Sequence, residues 1–398
     1  MKIEEFINAN WDKCTMECRR DEEIRIGLPY PYSIPATEKF DCMYYWDTYF
    51  ANLGLLRSGR AIMAKCNVDN MLYLVNKFGF MPNGNRWVFL SRSQPPFLSL
   101  MVKDIYEYYK DTVWLKGAYE LLKREYDFWI TKRGTSCGLC GYGCDLGPDM
   151  YNHYAVCYEE RVGVRPEGKS DEEIAKHAIA TAESGWDMNP RWEFEAYNYV
   201  QVDLNCLLYM LEKNMSEFAK ILKIDEVNLW SERADKRREL MNKFMTDENG
   251  LFFDYNFKEN KLSSVFSVAS FFPLFAGFAD EKQAKAAVSN LCRLEMEYGI
   301  STCEKSDNKI QYQWDYPNGW ACMQYVTVKG LLNYGYTDEA MRIADKYISS
   351  MDKIFEETGN LWEKYNVTDG TLNVVDEYKM PAMMGWTAGV YLALKNIK

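Results

Sequence analysis

Stripes of apolar residues spaced at 3.6 run through almost the whole chain, and no other feature restricts its fold as much. Leu204, Leu207, Leu208 and Leu211 occupy i, i+3, i+4 and i+7; Ala284, Ala287, Val288, Leu291 and Cys292 continue that spacing, and Ala340, Ile343, Ala344, Tyr347 and Ile348 repeat it. Residues so spaced share one face of a helix, and that face must be covered by other apolar surface. Ending each stripe at its Gly, Asn or Pro gives about a dozen helices of roughly 12 to 20 residues. Strands are expected only as short pieces beside turns, such as Leu251-Phe252-Phe253 after Asn249-Gly250.

A weak internal repetition indicates how these helices are arranged. Gly277-Phe278-Ala279-Asp280-Glu281 recurs as Gly335-Tyr336-Thr337-Asp338-Glu339, each opening a helix with acids in its first turn, where the helix dipole favours them. Asn249-Gly250-Leu251-Phe252-Phe253-Asp254-Tyr255-Asn256 likewise echoes Gly359-Asn360-Leu361-Trp362-Glu363-Lys364-Tyr365-Asn366. Repetition on the scale of a helical hairpin builds either an open solenoid or a closed ring. Closure into an all-α (α/α)6 toroid, six helical hairpins forming a barrel, is the reading adopted here, because it brings the loops together on one face. No low-complexity linker divides the chain, so residues 1–398 are expected to form one domain. The least regular stretch, residues 132–169, is rich in Gly and Cys and reads as a long functional loop or lid.

The net charge of -11 and the pI near 5.0 argue against nucleic acid as a partner, since such binding rests on clustered Lys and Arg. The N-terminal Met1-Lys2-Ile3-Glu4-Glu5-Phe6 carries acids where a signal peptide needs an apolar core, and the apolar run Val265 to Ala279 is too short to span a bilayer. A cytoplasmic location without membrane association is therefore expected, with the 12 cysteines as reduced thiols. Cys137, Cys140 and Cys144 are loosely spaced and no second CxxC completes a metal site, so no metal is expected.

Chemistry concentrates where Trp meets Asp. The pair occurs four times, at Trp11, Trp46, Trp186 and Trp314, and the last three lie in aromatic stretches punctuated by Gly or Pro. In Glu183-Ser184-Gly185-Trp186-Asp187-Met188-Asn189-Pro190-Arg191-Trp192, one carboxylate stands between indoles beside a guanidinium. That combination suits a sugar, whose apolar face stacks on a ring while charged groups bind its hydroxyls. Met81-Pro82-Asn83-Gly84-Asn85-Arg86, followed by Arg92-Ser93-Gln94-Pro95-Pro96, adds amides and guanidiniums. Only His153 and His177 are present, which disfavours a His-based metal site or a Ser-His-Asp triad, and there is no phosphate or dinucleotide loop. Glycoside hydrolysis fits what remains: it needs two carboxyl groups, a sugar-binding wall and no cofactor.

These segments, with Tyr44 to Tyr49, Gln313 to Trp320, Arg165-Pro166-Glu167 and Gly385 to Val390, resemble the trehalase family of glycoside hydrolases from about Pro35 to the C-terminus. The resemblance implies an (α/α)6 barrel and inverting hydrolysis of a small α-glucoside, with α,α-trehalose the leading substrate. A related α-glucosidase for another disaccharide or glucosylated small molecule, or a sugar-binding protein with weak catalysis, are the alternatives. Carried over by position, Asp187 matches the general acid and Glu377 the general base. Phe40, Tyr44, Trp46, Asp47, Asn83, Arg92, Gln94, Arg165, Glu167, Trp314 and Trp320 match segments that line the sugar pocket. Asp315, Arg86 and Arg191 also suit structural roles, and Trp192 suits the core. The sequence departs from the family at Lys39 and Cys42, at Asn373-Val374-Val375-Asp376, which replaces a glycine run, and at Met380-Pro381-Ala382-Met383-Met384. The departures are expected to alter the second sugar subsite and leave the acid and base in place.

Overall fold

Cap chemistry sets the ends of many helices. Asp111 accepts the N–H groups of Val113 and Trp114, Ser170 and Glu173 form a reciprocal capping box, and so do Asp280 and Gln283. The computed structural model describes residues 2–307, 310, 312–382 and 385–397. Among them are 14 α-helices. They are α1 (Ile3–Asn10), α2 (Tyr45–Arg57), α3 (Ala61–Phe78), α4 (Leu98–Tyr109), α5 (Thr112–Lys132), α6 (Tyr151–Val162) and α7 (Asp171–Glu183). There follow α8 (Val202–Leu222), α9 (Val227–Phe244), α10 (Phe272–Ala276), α11 (Glu281–Ser289), α12 (Ala321–Asn333), α13 (Thr337–Thr358) and α14 (Gly385–Lys395). Strands are short antiparallel pairs, such as Asn318–Trp320 with Lys364–Asn366.

Six of these helices close a ring: α2 packs on α4, α4 on α8, α8 on α10, α10 on α12, α12 on α14, and α14 returns to α2. The closing contact is tight because two glycines face each other. A Cβ on Gly54 would stand 2.7 Å from the Gly389 Cα, and one on Gly389 would stand 1.9 Å from the Phe50 carbonyl oxygen. Helices α3, α5, α9 and α13 pack outside the ring and give it a second layer. This is the (α/α)6 toroid expected from the repetition, and the repeats mark its turns. Gly277, at φ +72°, ends inner helix α10, and Asp280 then caps α11; Gly335, at φ +78°, joins inner α12 to outer α13. Tyr255 and Tyr365, matched in the second repeat, both lie in short strands that lead back from an outer helix.

Residues 132–169 differ from the expected loop. Their second part contains α6, which pairs with α7 as a hairpin added to the ring. Ala155, Tyr158 and Val162 lie along α6 and pack with Ile174 and Ala178 of α7, and with Met188 and Tyr312, in a small cluster separate from the main core. The stripe is short and shares its helix with Glu159, Glu160 and Arg161, so its periodicity is weak in sequence. Ahead of it, Gly134 bridges Cys140 in a tight turn, and Cys140 is buried in the barrel wall. All 12 cysteines are free thiols. No helix among the described residues is long and apolar enough to cross a membrane.

One buried acid makes stability depend on pH. Glu125 of α5 is enclosed in the wall, its Oε1 accepting the Tyr45 hydroxyl and its Oε2 without a hydrogen-bond partner among the described residues. Burial pushes this carboxyl up to about 8, against the opposing effect of the Tyr45 hydrogen bond. The folded state thus keeps a proton that the unfolded chain releases near about 4.3. The resulting stabilisation is complete below that lower value and is lost as pH rises through about 8. Glu125→Gln should flatten this decline, as read by urea unfolding across the window; an unchanged slope would mean that the carboxyl is already ionised in the fold.

Candidate active site

The N-terminal ends of several inner helices open onto one cavity of about 220 Å³. Phe40, Tyr44, Trp46 and Asp47 reach it from the start of α2; Asn83, Phe89, Arg92 and Gln94 come from the loop before α4. Gly185 and Asp187 follow α7, Gln313, Trp314 and Trp320 precede α12, and Glu363, Tyr378 and Trp386 come from the segment leading into α14. Helix N-termini favour negative charge and hydroxyl oxygens, so this end of the ring suits both carboxylates and sugar.

The walls are held rigid by buried polar hubs. Glu183, at the end of α7, accepts the Ser93 N–H at 2.7 Å, the Gly143 N–H at 2.6 Å, and Arg133 Nε and Nη2 at 2.7 and 2.9 Å. One carboxylate therefore fixes the Arg92–Gln94 loop against the Asp187 turn. At Gly185, φ is +72° and an added Cβ would stand 2.7 Å from the Trp46 indole, so only glycine lets this turn approach α2. The floor is aromatic: Trp314 and Trp320 stack at 3.8 Å with 4° between planes, and Trp46, Trp186 and Trp386 lean on Trp314. Arg191 and Trp192 lie beneath the floor, buried, with Arg191 paired to Asp203 and Asp254. Asp315 accepts the Tyr316 N–H and sits in the turn before α12.

Ten of the residues matched from sequence meet in this cavity: Phe40, Tyr44, Trp46, Asp47, Asn83, Arg92, Gln94, Asp187, Trp314 and Trp320. Arg165 and Glu167 do not. They are exposed on the connection from α6 to α7, where Arg165 pairs with Glu159 and Asp171 at 3.3 and 2.5 Å. The guanidinium beside the acid is Arg161, from the last turn of α6. Its Nη2 lies 3.1 Å from Asp187 Oδ2 and 2.5 Å from Glu377 Oε2, and its Nε lies 2.9 Å from the same Glu377 oxygen.

Arg161 thus ties Glu377, which the resemblance makes the base, to Asp187, which it makes the acid: one nitrogen holds an oxygen of each, so those two oxygens are separated by at most about 5.6 Å. Glu377 does not itself line the cavity, and its second oxygen, Oε1, is buried without a hydrogen-bond partner among the described residues. Burial and neighbouring Asp187 push the Glu377 carboxyl up to about 7 while Arg161 pulls it down.

Glu363, which sequence reasoning passed over, does line the cavity. It is buried, its Oε1 accepts the Tyr378 hydroxyl at 2.7 Å, and its Oε2 lies 3.0 Å from Lys364 Nζ. Burial raises its proton affinity, Lys364 and Tyr378 oppose the rise, and Asp376 adds to it. Adjacent Glu and Lys inside the aromatic run Leu361-Trp362-Glu363-Lys364-Tyr365 were the available signal, since charged residues among apolar ones are seldom fully buried unless paired. Asp47, also in the cavity, is pushed up to about 7 by burial and by nearby Glu363 and Asp187, against a backbone hydrogen bond at its own position.

Relatives share this framework. Periplasmic trehalases of Xanthomonas oryzae and Xanthomonas axonopodis are 31% and 32% identical, each over 94% of this chain and 69% of their own length. The neutral trehalase of Saccharomyces cerevisiae superposes with a TM-score of 0.81 at 28% identity, covering all of this chain and 80% of that one. A GH63 mannosylglycerate hydrolase from Thermus thermophilus shares the fold at TM-score 0.66 and 17% identity, over 92% of this chain and 95% of its own. The expectation of a cytoplasmic location is overturned by the curated relatives, which are named as periplasmic enzymes. Residues 3–10 form α1, whose Phe6 packs on Phe355 of α13, so the acids there are those of a folded helix. A trehalase profile matches residues 3–397, and with the identities above it establishes that the chain belongs to the trehalase family of glycoside hydrolases.

Proposed function

We propose that this glycoside hydrolase cleaves α,α-trehalose with inversion, Asp187 acting as general acid and Glu377 as general base. Asp187 gives its proton to the glycosidic oxygen as the C1–O bond breaks. Glu377 takes a proton from a water that attacks C1 on the opposite ring face. One glucose leaves as the β anomer and the other as the α anomer; Glu377 ends protonated and Asp187 ionised, and solvent restores both. The observation that carries the reading is that Asp187 lines one small cavity with the tryptophans, while Glu377, from a different segment of the ring, stands one guanidinium away with its buried Oε1 unpartnered among the described residues.

Arg92 supports a sugar in this pocket. Its guanidinium leans over Phe89 and its buried Nε has no hydrogen-bond partner among the described residues, so it offers a donor to a substrate hydroxyl. A related α-glucoside is the second reading, favoured by Lys39, whose ammonium stands 3.7 Å above the Tyr378 ring at the pocket wall. Of the altered Met380 stretch, Met383 and Met384 lie outside the described residues.

Proton NMR of the anomeric signals during trehalose turnover tests the proposal. Equal initial amounts of α- and β-glucose are expected. Only α-glucose at early times would mean retention, and no turnover with trehalose would move the assignment to another α-glucoside.

A further inference from the structure

Glu377 belongs to an irregular strap, residues 373–378, and the residues on either side of it are tied to one short element. On one side the Asp376 carboxylate lies 2.5 Å from the Lys364 ammonium; on the other the Tyr378 hydroxyl donates to Glu363 Oε1 at 2.7 Å. Glu363 and Lys364 are adjacent, buried and paired at 3.0 Å, where the strand that runs against Asn318–Trp320 begins. The opposing strand reaches the same strap. The buried Asn318 amide donates to the Val375 carbonyl at 2.8 Å and accepts the Val375 N–H at 3.1 Å.

A carboxylate outside a helix or strand owes its place to such tethers, and a general base depends on its place. It must stand within hydrogen-bond reach of the proton it takes, and a displacement of about 1 Å can cost about 100-fold in rate. The acid is referred to the same stretch of chain: the Trp314 N–H donates to the carbonyl of Met188, one residue beyond Asp187, at 3.2 Å. The turn that carries the acid and the strap that carries the base are thus fastened four residues apart, at Trp314 and Asn318.

We propose that Asp376 and Tyr378 are positioning residues that bracket Glu377 and, anchored on Lys364 and Glu363, set where the base stands relative to Asp187. The inference rests on the reading of Glu377 as the base. Neither flanking residue moves a proton in the reaction; each acts through the place of the carboxylate between them. The Asp376 arm needs a side chain in the stretch Asn373-Val374-Val375-Asp376, where the family resemblance puts glycine, and glycine has none to reach Lys364.

The test is steady-state kinetics on trehalose for Asp376→Asn and Tyr378→Phe, each made alone and in the Glu377→Gln background. The first removes the ion pair with little change of shape, and the second removes only the hydroxyl. Each alone should lower kcat about 10-fold while KM changes by less than about twofold. In the Glu377→Gln background no base is left to place, so the same substitutions should lower kcat no further. A structural or sugar-binding role would add its cost in both backgrounds. Should Asp376→Asn fail to fold, Tyr378→Phe decides by the same comparison. Single variants with kcat within about twofold of the parent's, or losses that multiply with that of Glu377→Gln, would overturn the bracket and leave Glu377 as the base. Near-normal turnover in Glu377→Gln would overturn both.

Discussion

Asp187→Asn and Glu377→Gln are each expected to lose about 100-fold to 10,000-fold in kcat, the range that acid and base groups contribute in proton-transfer catalysis. Both replacements preserve shape. In Glu377→Gln the amide oxygen can still accept from Arg161, so the cavity wall stays in place while the carboxylate is lost. Unchanged circular dichroism and retained binding of glucose, followed by tryptophan fluorescence from the indole floor, separate the loss from unfolding. Glu363→Gln is the discriminating control. The two Glu363 oxygens are held by the Tyr378 hydroxyl and the Lys364 ammonium, so the substitution should cost less than Glu377→Gln. A Glu363→Gln enzyme as damaged as Asp187→Asn, beside a Glu377→Gln enzyme of near-normal turnover, would reverse the assignment.

The largest structural effect is expected at Arg191. Its Nε and Nη2 hold Asp254 at 2.8 and 2.9 Å, its Nη2 holds Asp203 at 2.6 Å, and Trp186 and Trp192 cover its two faces at 4.2 and 4.6 Å. The two acids are bound further by the Trp192 indole, the Val202 N–H and the Tyr142 hydroxyl. The group is fully buried, so removing the cation leaves two carboxylates without compensation. Arg191→Met should therefore destabilise the fold by about 3 to 5 kcal/mol, the cost of breaking a buried ion pair from one side. Urea unfolding reads it, and Arg165→Ala, on the exposed connection between α6 and α7, should leave the midpoint unchanged. Activity should fall as well, because Arg191 fastens the turn that carries Asp187 to the start of α8. A midpoint for Arg191→Met equal to the parent's would mean that water or a relaxed fold solvates Asp203 and Asp254.

The ring was legible in the sequence because inner and outer helices both need a continuous apolar face, and repeated turns such as Gly277 and Gly335 mark where one passes to the other. The cavity wall was legible for a related reason. Trp46, Trp186 and Trp314 each stand beside an Asp at a helix end, a pattern that packing alone does not require. Three things were not legible. Helix α6 hides in a Gly- and Cys-rich stretch, because its apolar stripe covers only one partner helix. Arg161 is one charge among several on α6, and its contact with Asp187 and Glu377 depends on how α6 lies across the site. Glu363 is one of many acids in the sequence, and its burial against Lys364 and Tyr378 in the cavity wall is a property of the assembled barrel.

Rescue of a base-deficient enzyme by azide tests the pairing of Asp187 with Glu377 most directly. In Glu377→Ala the attacking water has lost its proton acceptor, whereas azide needs none and fits the space left by the side chain, with Asp187 still present to protonate the leaving sugar. Trehalose cleavage should return with added azide and yield β-glucosyl azide, the product of attack opposite the departing oxygen, while Glu363→Ala should show no such product. Rescue in Glu363→Ala instead, or formation of the α-azide, would contradict the account.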